Sequence, residues 1–260
     1  MLTLKTAYKQ VEGNEVVYDE NVSPTNHPGL WETCPLAPIA HDPTLAHVYE
    51  ENFATYTSGE GGWETTATNS GSVSVITAAA GYLGSALRVS PSDATAADND
   101  ETYVERENLN YILASGKDIW FEATIKQTET NVDDANYAIG IASKCLANTI
   151  LDDGGGATTG SSVICIQKKD GGTTYEGWAN TATTAATAIT LATRRSGVWQ
   201  RVGFHVKSND TVDFYVNGVL CGTKTANIPT AAMGIYFGAK NGGANHDQFY
   251  VRNIKVVQLL

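Results

Sequence analysis

Apolar residues in this chain recur with a period of two, and that alternation more than anything else limits the folds open to it. Ile119, Phe121, Ala123 and Ile125 fall on one face of the run Ile119–Ile125. Val202, Phe204 and Val206 alternate with Gly203, His205 and Lys207, and Val212, Phe214 and Val216 with Asp213 and Tyr215. Successive side chains of a strand point to opposite faces, so each run reads as a half-buried strand. The links between runs carry turn chemistry. Asn217-Gly218 separates Val212–Val216 from Val219–Thr223, a two-residue hairpin signal in which both residues need positive φ. Lys169-Asp170-Gly171-Gly172 divides Val163–Gln167 from Thr174–Trp178, and Asn241-Gly242-Gly243 precedes a last strand, Gln248 to Gln258. The biased Thr/Ala stretch from Thr181 to Thr193 ends as a strand on Ile189 and Leu191. About a dozen strands and no convincing helix predict an all-β chain of two stacked antiparallel sheets.

Length and charge narrow the function classes. With 260 residues the chain can bury a full core, and its 25 glycines fall in short clusters between apolar runs. Lys plus Arg is 17 against 28 Asp plus Glu, a net charge of −11 that disfavours a phosphate-binding surface, so nucleic acid is not expected as a partner. The polar start, Met1 to Glu20, holds no apolar h-region, so no secretory signal is expected; no run is apolar enough to span a bilayer, so no membrane partner is expected either. Cys34, Cys145, Cys165 and Cys221 show no metal-type spacing and are expected as buried free thiols.

Residues 1–47 differ in texture from 48–260. Five of the seven prolines lie between Pro24 and Pro43, where each removes a strand hydrogen bond. Yet the region carries Val16, Val17, Tyr18, Leu30, Trp31, Leu36 and Ile39, more apolar mass than a solvated linker holds. It reads as an extended N-terminal arm that gains order by lying on a surface, either a partner's or that of its own domain.

The order of the later pieces resembles the concanavalin A-like lectin/glucanase superfamily. The matching pieces are His47-Val48-Tyr49-Glu50-Glu51-Asn52-Phe53, Gly62-Trp63, Gly81-Tyr82-Leu83, Asp118–Lys126, Trp199–Phe204, Val212–Gly218 and Phe249–Gln258. More narrowly it looks like tailed-phage structural proteins that carry this jelly roll, with a Trp-Phe-Glu-Ala strand, an Asp-Asp-Gly loop (Asp152-Asp153-Gly154) and a Tyr-Val-Asp-Gly-like hairpin in which Asn217 replaces the aspartate. The resemblance implies a concanavalin-like jelly-roll sandwich over 48–260 and a role in a virion.

Glycosidases of this fold set their carboxylates on one strand as a Glu-x-Asp-x-x-Glu type pattern. Counted from Asp98, the third position here is Tyr103; Asp98-Asn99-Asp100-Glu101 then reads as a solvated turn, Glu122 stands alone, and no enzyme activity is expected. No Gly-x-Ser-x-Gly elbow occurs. His27, His41, His47, His205 and His246 are scattered, so no metal site is expected of them. Asp133-Asp134-Asn136, Asp152-Asp153 and Asn245-Asp247 are oxygen-rich, as a loop calcium would require, but turns select the same residues and no EF-hand spacing exists; no cofactor is expected. Trp63, Trp178, Trp199 and Tyr236 are candidates for a sugar platform; against this, Trp120 and Trp199 in strands and Trp63 after two glycines suit a core.

The leading expectation is a phage capsid decoration (cement) protein, or a related virion accessory protein, on the capsid exterior. The arm would engage the major capsid protein through Trp31, Leu36 and Ile39, and the jelly roll would self-associate symmetrically, as a trimer. The alternative is a carbohydrate-binding module of a phage tail or fibre that recognises host glycans.

Overall fold

The computed structural model describes residues 6–11, 14–19, 29–35, 42–77, 85–93, 95–106, 111–129, 134–144, 151, 160–184 and 187–260. Within these the chain forms seventeen strands and one 3₁₀ turn, Gly29–Thr33. The strands β1 (Thr6–Val11) and β2 (Asn14–Asp19) make a two-stranded antiparallel hairpin. The sequence predicts no strand in this part of the arm; the β-forming residues Val11, Val16, Val17 and Tyr18 nonetheless suit the pairing that the structure shows.

The rest is a jelly-roll sandwich of two antiparallel sheets. One runs β12 (Ile189–Thr193), β11 (Thr174–Asn180), β10 (Val163–Lys168), β9 (Ala135–Ala142), β16 (Gly234–Asn241), β7 (Glu101–Arg106), β4 (Trp63–Ala67). The other runs β15 (Val219–Lys224), β14 (Thr211–Val216), β13 (Gln200–Lys207), β8 (Ile119–Thr128), β17 (Gln248–Leu259), β6 (Ala86–Ser90), β5 (Ser72–Ile76), with β3 (Ala46–Glu51) also on β17. The expected hairpin between β14 and β15 turns on Asn217 (φ 52°) and Gly218 (φ 79°), both in the left-handed region that such turns require.

Alternation fills the space between the sheets. Ile119, Phe121, Ala123 and Ile125 of β8 join Val202, Phe204 and Val206 of β13 in one cluster with Ile139, Ile141, Ile164, Ile166, Ile235 and Phe237 of the facing sheet. Each of these large side chains is at most 2% exposed, and full burial of one contributes roughly 1.5–3 kcal/mol. Among the described cysteines, Cys34, Cys165 and Cys221 are free, the first two buried and the third half-buried; Cys145 lies outside the described residues.

Candidate functional site

Each sheet has an outer face, and the two differ in whether anything can reach them. On the seven-stranded sheet, alternation points Tyr103, Ala138, Ala142, Val163, Cys165, Trp178 and Tyr236 away from the core, and they form a second buried cluster with Leu151. Tyr103 lies flat over Gly238, where a Cβ would sit 2.3 Å from the ring, and its hydroxyl donates to Glu101 Oε2 at 2.7 Å. The Trp178 indole donates to Glu176 Oε2 at 3.3 Å. Burial, reinforced by the Glu176 carboxylate and opposed by a hydrogen bond with Tyr236, pushes the Cys165 thiol up to about 12. This face carries aromatic rings and carboxylates, but they are spent on one another.

The eight-stranded sheet is open over part of its outer face. The 3₁₀ turn lies across β13 and β15: Leu30 is buried against Gly203, and Leu30 and Cys34 share a third cluster with Ala46, Trp120, Tyr215 and Val257. Trp31 packs on the same cluster, half-buried. Of the three residues expected to anchor the arm, Trp31 is therefore seated on its own domain's sheet, while Leu36 and Ile39 lie outside the described residues.

Beside Trp31 a pocket of about 420 Å³ opens, lined by Glu50, Glu51, Asn52, Glu122, Asn253, Ile254 and Lys255. A register shift in the β17–β8 pairing between Arg252 and Lys255, with Asn253 at φ 52°, places a bulge at the floor. Glu50 Oε1 lies 2.6 Å from Lys255 Nζ, and Glu122 Oε1 lies 3.9 Å from Arg201 Nη1. Burial raises the Glu122 carboxyl above its ordinary value, opposed by Arg201, by a hydrogen bond from the Trp31 side chain, and by Lys255. The Lys255 ammonium lies 5.4 Å from the centre of the Trp31 ring. Glu51 is turned aside, accepting from the Phe53 amide at 2.7 Å and the Trp63 indole at 3.2 Å. The walls thus offer carboxylate acceptors, two amides and an ammonium within one open space, with the Trp31 indole beside it.

Other expected candidates fall elsewhere. Trp63 is 5% exposed in the main core, and Trp178 and Tyr236 belong to the closed face. Trp199 precedes β13 and lies half-buried against Arg252, Lys126 and Tyr250 on the open face, not in the core. The solvated turn expected at 98–101 is solvated at Asp98, but Asp100 and Glu101 are buried; the Asp100 carboxylate accepts from the Ala97 amide at 2.8 Å and from Asn69 Nδ2 at 2.6 Å. Asp134 bonds to Asn245 Nδ2, and Asn136 Oδ1 accepts from the Asp170 amide at 2.8 Å; Asp133, Asp152 and Asp153 lie outside the described residues. Among the described residues, no group of three metal-ligating side chains comes together. Neither the pocket nor the bulge beneath it has a local sequence signal, because its residues come from β3, β8 and β17.

No family model and no curated protein matches the chain. Solved structures do. The carbohydrate recognition domain of Emp47p is 13% identical with a TM-score of 0.55, over 83% of this chain and 97% of that one. A Bacillus licheniformis beta-glucanase is 17% identical (TM-score 0.52; 82% and 97%), and lectin UEA-II complexed with galactose is 12% identical (TM-score 0.53; 82% and 99%). These likenesses establish the lectin/glucanase type of jelly roll.

Proposed function

We propose that this chain is a non-catalytic glycan-binding domain whose ligand enters the pocket between β3, β8 and β17. The observation that carries the reading is the convergence of Glu50, Asn52, Glu122, Asn253 and Lys255 beside the Trp31 indole. Sugars present hydroxyls that exchange bonds with carboxylates, amides and ammonium groups, and C–H faces that lie on aromatic rings. The structural neighbours include a carbohydrate recognition domain and a lectin bound to galactose, which supports the same class of ligand. The absence of catalysis is supported by Tyr103, which stands on β7 where the Glu-x-Asp-x-x-Glu pattern counted from Asp98 needs its last carboxylate. In the pocket, Glu50 is held by Lys255 and Glu51 by Phe53 and Trp63. A glycan array followed by calorimetry on the best ligand tests the reading. Glu122→Gln and Asn52→Ala are expected to weaken binding about tenfold, the scale of one or two hydrogen bonds. No bound glycan, or unchanged affinity in both variants, overturns it.

A second reading is the virion role, with the major capsid protein and further copies of this chain as partners on the capsid exterior. Apolar surface on both flanks of the 3₁₀ turn favours it: Leu45, Val48 and Leu260 on the β3 side and Val219 and Leu220 on the β15 side are all more than 40% exposed. Exposed apolar groups gathered around one feature are typical of protein interfaces. Sedimentation with undecorated capsids tests it; saturable binding lost in Val48→Asp/Leu220→Asp supports it, and no binding by the unaltered chain removes it.

A further inference from the structure

Farther along the open face, basic residues from four neighbouring strands gather around two aromatic rings. In the sheet register Lys126 pairs with Tyr250 and Tyr250 with Arg88, while Arg252 pairs with Thr124 and Thr124 with Arg201. At a strand spacing of 4.7–4.9 Å this row spans roughly 14 Å. Lys126 Nζ lies 4.2 Å from the Tyr250 ring centre and 5.2 Å from that of Trp199, and the Arg252 guanidinium lies 4.2 Å from the Trp199 ring. The two rings meet nearly edge to face, 6.4 Å apart at 70°. All six side chains are partly exposed. Glu122 lies 3.9 Å from Arg201, whereas Arg88 and Lys126 have no carboxylate partner among the described residues.

In a chain of net charge −11 this concentration of positive charge is out of keeping with the composition. Arg88 and Lys126, on either side of Tyr250 in the sheet register, repel each other, and the Lys126 contact with the Tyr250 ring offsets that only in part, at about 0.5–1 kcal/mol per exposed contact. An anion arriving at the face would relieve the repulsion, and its approach would be guided by the local field. The rings add flat apolar surface of the kind that sugar C–H faces cover.

We infer that the Arg88–Lys126–Arg201–Arg252 face, with Trp199 and Tyr250, binds an acidic polysaccharide through its carboxylate or sulfate groups. A polysaccharide with about one charge per sugar suits the patch better than nucleic acid does. Duplex DNA carries a charge every ~1.7 Å and would bring dense negative charge against the acidic remainder of the surface. This inference uses a different set of side chains from the pocket and stands whether or not the pocket binds a glycan.

The test is a tryptophan-fluorescence titration of the full chain with polygalacturonate, dextran sulfate, neutral dextran and a thymidine oligonucleotide, at 20 mM and 300 mM NaCl. Polygalacturonate or dextran sulfate is expected to bind, at least tenfold more weakly at the higher salt; which of the two binds separates carboxylate from sulfate recognition. Arg88→Gln/Lys126→Gln should lose tenfold or more with an unchanged melting temperature, and Lys126→Gln alone should lose part of that. Asn52→Ala, which lines the pocket, should keep its affinity for the acidic polymer. Binding of neither acidic polymer, equal binding of neutral dextran, unchanged affinity in Lys126→Gln and the double variant, or tighter binding of the oligonucleotide would each overturn the inference.

Discussion

The indole of Trp120 and the imidazole of His205 lie stacked, 4.5 Å between ring centres and 16° between planes, on strands whose register pairs the two residues. The stack ties the 3₁₀ turn to the sheet. Trp120 Nε1–H donates to Thr33 Oγ1 at 3.2 Å, Thr33 Oγ1 lies 3.4 Å from His205 Nδ1, and His205 Nε2 lies 2.9 Å from Asp118 Oδ2. The chain of bonds is complete when the imidazole is neutral with its proton on Nε2: that proton goes to Asp118, and the Thr33 hydroxyl donates to Nδ1.

A pH dependence follows from that arrangement. Burial lowers the His205 pKa, and Asp118 only partly opposes it; Lys207 lowers it further and Asp213 raises it. A histidine whose folded pKa lies below its unfolded value of about 6.5 contributes stability that is complete above that value. The contribution is lost as pH falls from about 6.5 toward the folded value. Melting temperatures between pH 7.5 and 5 should therefore fall more steeply for the unaltered chain than for His205→Gln, and parallel curves would contradict this.

Glu129 should prove among the most sensitive side chains in the molecule. Its carboxylate is 3.1 Å from Lys168 Nζ and 2.7 Å from Arg194 Nη2, with all three side chains at most 4% exposed. Removing one partner of a buried ion pair strands the remaining charges, so Glu129→Gln is expected to cost about 3–5 kcal/mol in urea denaturation. Arg194→Met, which leaves Lys168 and Glu129 paired, should cost less.

Gly140→Ala tests how closely β9 and β10 approach. An added Cβ would sit 2.1 Å from the Ile164 carbonyl oxygen and 2.7 Å from the Cys165 Cα, both backbone atoms that can move only with their strand. A loss of about 1–3 kcal/mol is expected by denaturant titration. A change below ~0.5 kcal/mol would mean that the two strands part more easily than the geometry indicates.

Asn217 should be replaceable by glycine and not by alanine. Its φ is 52°, and its Oδ1 accepts from the Arg201 amide at 3.0 Å. Glycine keeps the backbone conformation and loses the side-chain bond, whereas alanine loses the bond and strains the turn. Asn217→Ala should cost about 1 kcal/mol more than Asn217→Gly, read from the same titration.

Features of the chain differ in how local their sequence signal is. The runs at 119–125, 202–206 and 212–216 are strands with the inward faces expected, and the Asn217-Gly218 turn is where it was expected. The hairpin of β1 and β2 went unread, because its apolar residues are few and adjacent to a proline-rich stretch. The place of Trp199 beside a strand suits a core as well as a platform; it sits one residue before β13, on the outer face. Trp178 and Tyr236 were candidates for exposure, and the structure closes their face.

Alternation and turn residues act over two to four neighbours, so local residue order decides which segments are strands, which of their faces are apolar and where several hairpins turn. It could not determine which strands distant in sequence lie side by side. Glu50, Glu122 and Lys255 meet only because β3 and β8 take opposite edges of β17, and Arg88, Lys126, Arg201 and Arg252 gather only because β6, β17, β8 and β13 are neighbours. Pairing and register between distant strands are set by packing of the whole sandwich. The pocket and the basic face therefore came into view only with the tertiary structure.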